Sequence, residues 1–143
     1  MKKYKLTQES ITIEGRKLYR IEALRDFGKV KKGDKGGFVQ SEKNLSHEGT
    51  CWVAKDAWVA DDARVLCDAW ITGAAYVFDD AKVGGAARVA GKAWIYGHAL
   101  IFDNATVRGD ACVYGNAQVH GTAWISGKAI VRGKTEVDSG ALI

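Results

Sequence analysis

Cysteine is scarce and poorly spaced for cross-linking. The 143-residue chain has three, Cys51, Cys67 and Cys112, with no C-x-x-C pair, which argues against a disulfide framework and a zinc knuckle and makes reduced thiols the expectation. No run of about 18 apolar residues is present, and the opening MKKYKLTQES passes into polar sequence without the apolar segment of a secretion signal. A soluble cytoplasmic protein with no membrane contact is expected. Neither a Walker motif nor a Ser-His-Asp signature occurs. An excess of one charge is lacking too: 21 Lys and Arg face 17 Asp and Glu, for a formal charge of +4, so neither disorder nor a dominant polyanion-binding role follows. The length suits one domain and leaves little room for a two-domain enzyme.

A repeat fills two thirds of the chain. From residue 55 it divides into sixes, KDAWVA, DDARVL, CDAWIT and so on, in an unbroken frame to Ile143. One slot holds Val53, Val59, Val65, Ile71 and their successors at every sixth position, sixteen β-branched residues in sixteen positions. The slot two residues earlier is Ala in fourteen of the sixteen, with Cys51 and Thr135 as exceptions. A six-residue period fits no helix, whereas short β-branched strands between Gly, Asp and Asn turns fit it well. Three sixes close one triangular coil, with Val or Ile pointing inward and Ala near each corner. Sixteen aliphatic positions make about five coils, a prism about 25 Å long at about 4.8 Å per layer.

The tandem A-x-[VI]-x-[GD]-x pattern, over roughly residues 50–143, resembles the hexapeptide-repeat proteins. That resemblance implies an all-β, left-handed parallel β-helix of about five triangular coils. The Gly, Asp or Asn comes one position later than in many members, so the variant is more similar to small bacterial and prophage members than to the metabolic enzymes. A phage-encoded inhibitor of a host defence protein is one function it suggests, and an acyltransferase with a site between the subunits of a trimer is another.

Two regions are expected: an N-terminal β cap over 1–44 and the β-helix over 45–143. In the cap, SITI and KLYRIEAL meet at Glu14-Gly15 as a hairpin, followed by the basic Gly-rich loop RDFGKVKKGDKGGFV. The cap holds twelve Lys or Arg against six Asp or Glu, while residues 50–85 hold three against six, so it can dock electrostatically on the first coils. The last coil, ending on Leu142 and Ile143, has an uncovered edge, and both residues are candidates for self-association, which makes an end-to-end assembling scaffold a third reading.

Sorting outward positions by an eighteen-residue period separates three faces. One carries Trp58, Tyr76, Phe78, Trp94, Tyr96, Cys112, Tyr114 and Ile130. This aromatic stripe is expected to lie exposed and to bind a protein partner, either a host protein or a second copy in a homo-oligomer, through Trp58, Tyr76, Phe78, Trp94, Tyr96, Tyr114 and Ile130. A second face has Trp52, Trp70 and Trp124, and the third is mixed. One corner column begins Asp61-Asp62, Asp79-Asp80, which suits turn-capping better than cation binding.

No catalytic residue, metal or cofactor is assigned. His47, His98 and His120 are the possible general bases, but none sits in a loop insertion and each is expected to be solvent-exposed. His98 and His120 are twenty-two residues apart, not one coil, so they do not stack as zinc ligands. Cys112 reads as a small apolar filler. Lys2, Lys3, Lys5 and the loop lysines could contact phosphates, yet the stripe runs away from them, so a nucleic-acid partner is not expected.

Overall fold

The structure is a computed structural model and describes residues 2–143. Each six contributes a two-residue strand, one side chain outward and the β-branched one inward, as in Arg88–Val89 and Trp94–Ile95. Eighteen residues on, the next copy lies beside it in parallel register: Trp58 against Tyr76, Tyr76 against Trp94, Trp94 against Cys112, Cys112 against Ile130. Backbone amides of one turn donate to carbonyls of the next, as Trp94 N to Ala111 O and Tyr96 N to Val113 O, both 3.0 Å. Val or Ile from Val53 to Ile125 and Ala from Ala57 to Ala117 in these slots are wholly buried. The chain is thus an all-β parallel solenoid of stacked coils, with sheets of eight, six and five strands.

The solenoid has about six turns rather than five, because an irregular turn precedes the regular ones. Val39 pairs with Val59, and Leu45 bridges Val65, each twenty residues apart instead of eighteen. A fixed six-residue frame therefore misses it. The frame also slips at the other end. Leu142, not Ile143, aligns with Ile125, because the last corner turns through Gly140 at φ 78° one residue later than the frame requires, and the strand after it starts one residue early. Ile143 is accordingly exposed.

The hairpin forms where the sequence indicates. β1 (Tyr4–Ile13) and β2 (Arg16–Ala23) pair antiparallel around Glu14 and Gly15, both at positive φ, as a tight turn matched to strand twist requires. β2 then pairs with β3 (Lys35–Val39), and β3 pairs in parallel with Trp58–Val59. The hairpin is therefore part of the eight-stranded sheet, which crosses residue 44 without a break. β3 lies so close to the next turn that a Cβ on Gly37 would sit 2.2 Å from the carbonyls of Ala54 and Ala57.

Lys3 is buried rather than part of a basic surface. Its ammonium donates to the carbonyls of Cys51 at 2.8 Å, Gly49 at 3.3 Å and Glu48 at 3.4 Å, which replaces the water it gives up. Burial holds its pKa below the usual lysine value, and burial pushes the adjacent Cys51 thiol up.

Each regular corner needs one left-handed residue, usually Gly, but Cys67 and the aspartates Asp61, Asp79 and Asp103 take the slot at φ 58–59°; the aspartates add a bond. Their carboxylates accept the N–H of the equivalent residue one turn on: Asp79 at 3.1 Å, Gly97 at 3.1 Å and Gly121 at 3.0 Å. Gly91, at φ 67°, occupies the same slot, and a Cβ there would lie 2.6 Å from Gly109 N. Gly91→Ala is expected to destabilise the solenoid by about 2 kcal/mol or more. Gly91→Asp should cost about 1 kcal/mol less, because its carboxylate meets that N–H. Urea melts of the two variants check the order, which propensity alone does not dictate.

Candidate protein-binding face

The outer side of the eight-stranded sheet carries two columns. Trp58, Tyr76, Trp94, Cys112 and Ile130 form one, and Ala60, Phe78, Tyr96, Tyr114 and Arg132 the other. Register forces like on like. Phe78 and Tyr96 stack at 5.0 Å and 3°, Tyr96 and Tyr114 at 4.8 Å and 7°, Trp58 and Tyr76 at 4.4 Å and 18°. Stacked rings spend their faces on each other, so this ladder presents edges to solvent. A base or sugar needing a free ring face finds little purchase there. Trp94 departs from the ladder, tilted 51° from Tyr76 and 77° from Phe78, and is 44% exposed.

The stripe is not open along its whole length. Trp58 is only 7% exposed, packed with Leu18, Phe38 and Ala60 in a second small core that Ile11, Ile13, Tyr76 and Phe78 flank. The cause lies in the hairpin. Strand alternation puts Tyr4, Leu6 and Ile21 toward the main core and Ile11, Ile13 and Leu18 on the outer side, and the sheet curls so that this outer row folds over the first turn. Two basic residues fix the curl. Arg16 makes a bidentate pair with Asp61, Nε to Oδ1 at 2.7 Å and Nη2 to Oδ2 at 3.0 Å, while its guanidinium lies over the Phe78 ring. Arg20 lies over Phe38 and donates to Glu9 and to the Gly36 carbonyl, each at 2.7 Å. Electrostatic docking of the hairpin on the acidic coils is thus carried by Arg16, with Lys43 pairing Asp62, and not by the lysine-rich loop.

Between hairpin tip and stripe lies a cleft of about 220 Å³, lined by Ile13, Glu14, Arg16, Trp58, Tyr76, Phe78 and Trp94. Down the stripe the cover ends. Ile130 is 60% exposed, and Cys112, half-buried between it and Trp94, has its thiol pushed up by burial and by Asp110. A thiol held protonated is a poor nucleophile. Of the residues expected on this surface, the structure gathers Trp58, Tyr76, Phe78 and Trp94 around the cleft and leaves Tyr96, Tyr114 and Ile130 beyond it. Leu142 lies on the six-stranded sheet, and Ile143 follows it outside any strand.

The histidines have structural partners. His47 stacks on Tyr4 at 4.2 Å, accepts the Lys3 amide at Nδ1 and reaches Glu42 through Nε2 at 2.8 Å. His120, expected outward and exposed, is instead half-buried against Phe102 with Nε2 2.8 Å from Glu136, because the stacking register places it over the ring one turn before. His98 is exposed beside Asp80 at 3.7 Å. On the second face, Trp52 is buried against Phe27, whereas Trp124 is exposed with Arg108 over its ring. Residues that sequence reasoning passed over are Arg16, Leu18, Ile11 and Ile13. The outward apolar row in the hairpin was the available signal.

No protein-family model matches the chain, and no curated protein matches it.

The Arg16 hydrogen bonds, aided by the Asp79 amide, hold the Asp61 carboxyl below its ordinary value of 3.8. A depressed carboxylate contributes stability that is present above the unfolded value and lost as pH falls through the folded one. Hairpin docking should therefore be intact above pH about 4 and weaken below it, read as a change in Trp58 emission. Asp61→Asn should leave the hairpin loosened at neutral pH and remove this acid step.

Proposed function

We propose that the chain is a non-enzymatic interaction protein, a hexapeptide-repeat solenoid whose aromatic outer face binds a protein surface. The observation that carries this reading is the exposure of Trp94 and Ile130, 44% and 60%, in one column, with Trp94 at the edge of a largely apolar cleft and Ile130 two turns beyond it. Aromatic and aliphatic anchors around a pocket on a rigid backbone are what a protein interface uses. The face is rigid because its amides are spent on the next turn. Edge-on rings favour a protein over a nucleic acid or a sugar, and Lys3 is withdrawn from any phosphate-binding set. The acyltransferase alternative needs a histidine base at its site; none lines this cleft, and His98 lies in a separate groove with Asp61, Asp62, Asp79 and Asp80. No helix among the described residues is long and apolar enough to cross a membrane. Free thiols at Cys51, Cys67 and Cys112, with Cys67 exposed, support a reducing compartment such as the cytoplasm.

The test is affinity capture from producing cells with mass spectrometry of everything retained, including a differently tagged second copy. Trp94→Asp and Ile130→Asp should each lower recovery of the partner about tenfold or more, while Trp124→Asp, on a different face, should not. Equal recovery across all three variants sinks the reading.

A further inference from the structure

The aromatic face is unevenly furnished along its length. Number its five turns by Trp58, Tyr76, Trp94, Cys112 and Ile130. Turns one and two are raised by the hairpin tip, hold the cleft, and are bordered by Asp56, Asp61, Asp62, Asp79 and Asp80. Arg16 paired with Asp61, Lys43 paired with Asp62 and Lys55 next to Asp56 offset only part of that charge, leaving Asp79 and Asp80 in excess. Turn five is low and bare. It carries the exposed Ile130 and is bordered by Lys128, Arg132 and Lys134, which form no ion pair among the described residues.

A knob and a hole, a basic border and an acidic one, thus sit on one face either side of turn three. One symmetry operation satisfies both. A two-fold axis lying in the face, at right angles to the solenoid axis and passing by Trp94, lays turn five of one copy over turn one of the other. Ile130 then enters the partner's cleft, Lys134 meets the corner of Asp61 and Asp62, and Lys128 meets that of Asp56, twice over by symmetry. The two Lys92 side chains approach each other only at the rim, where water screens them. The parallel arrangement, with the axis along the solenoid, sets acid on acid, base on base and cleft on cleft. A parallel trimer does the same. We propose that the partner of the aromatic face is a second copy of this chain, docked antiparallel, with Ile130 of each copy filling the hairpin cleft of the other. This rests on the reading of the face as a protein-binding surface, and it names the occupant.

Light scattering after size exclusion, over a hundredfold concentration range, should give a dimer that Ile130→Asp converts to monomer. Lys128→Glu with Lys134→Glu should raise the dimer dissociation constant about tenfold or more, as should Asp56→Lys with Asp62→Lys. All four changes together should restore it to within about threefold of the original, since the reversed charges again face each other. Thermal melts confirm that each variant folds. A folded four-fold variant that stays dissociated, or a trimer, overturns the antiparallel pairing. A wild-type monomer that still captures a foreign protein through Trp94 overturns the dimer and leaves the binding face standing. A dimer indifferent to both Trp94→Asp and Ile130→Asp overturns the two together.

Discussion

Everything in this molecule depends on the amide ladder between turns. The amide of each outward strand residue and that of the residue after the strand, as Trp94 and Tyr96, find carbonyls of the following turn at about 3.0 Å, and that pairing locks the chain to an offset of eighteen residues. Once the offset is fixed, a choice made at one position is read again beside its own copy. An inward valine becomes an aliphatic column, a corner alanine becomes a seam where turns approach closely, and an outward aromatic becomes a ladder. Side chains do not select the stacking partner so much as inherit it. The same constraint explains why the rings of Phe78, Tyr96 and Tyr114 lie nearly parallel. A layer spacing of about 4.8 Å suits parallel rings, although Trp94 tilts away in the same register.

The corners show how narrow that inheritance is. A left-handed residue with no side chain fits by default, and Asp fits because its carboxylate turns a close approach into a hydrogen bond. The acidic column beside the first turns is therefore partly structural. Its leading member, Asp61, serves twice, bonding the Asp79 amide and gripping Arg16. The docking of the hairpin and the stacking of the coils thus share one carboxylate.

The repetitive part of the fold was legible because its signal is local and redundant: fifteen inward residues, Val53 to Val137, agree on one period, and the dissent of Ile143 does not hide it. Glu14-Gly15 was legible for a different reason, being a turn that little else can make. What the sequence hid is what happens once only. The first turn spans twenty residues and the last seventeen, so neither falls in the frame. Lys3 looks like any surface lysine until the carbonyls of residues 48–51 converge on it. Trp58 belongs to the stripe by periodicity and to a second core by tertiary contact, because the curl of the sheet depends on Arg16 meeting a residue forty-five positions away. The apolar outer row of β2 and β1 announces that something is covered there, but not what.

Because each regular turn touches only its neighbours, the distance between the hairpin and Ile130 is a countable quantity. It is set by the number of repeats and by nothing else. Duplicating eighteen residues within the solenoid would preserve every local contact, every buried valine and every corner, and would leave the cleft unaltered. It would also move the far end of the face outward by one layer. Gain or loss of a whole eighteen-residue turn thus changes the reach of this protein in steps of about 4.8 Å while its cleft stays as it was.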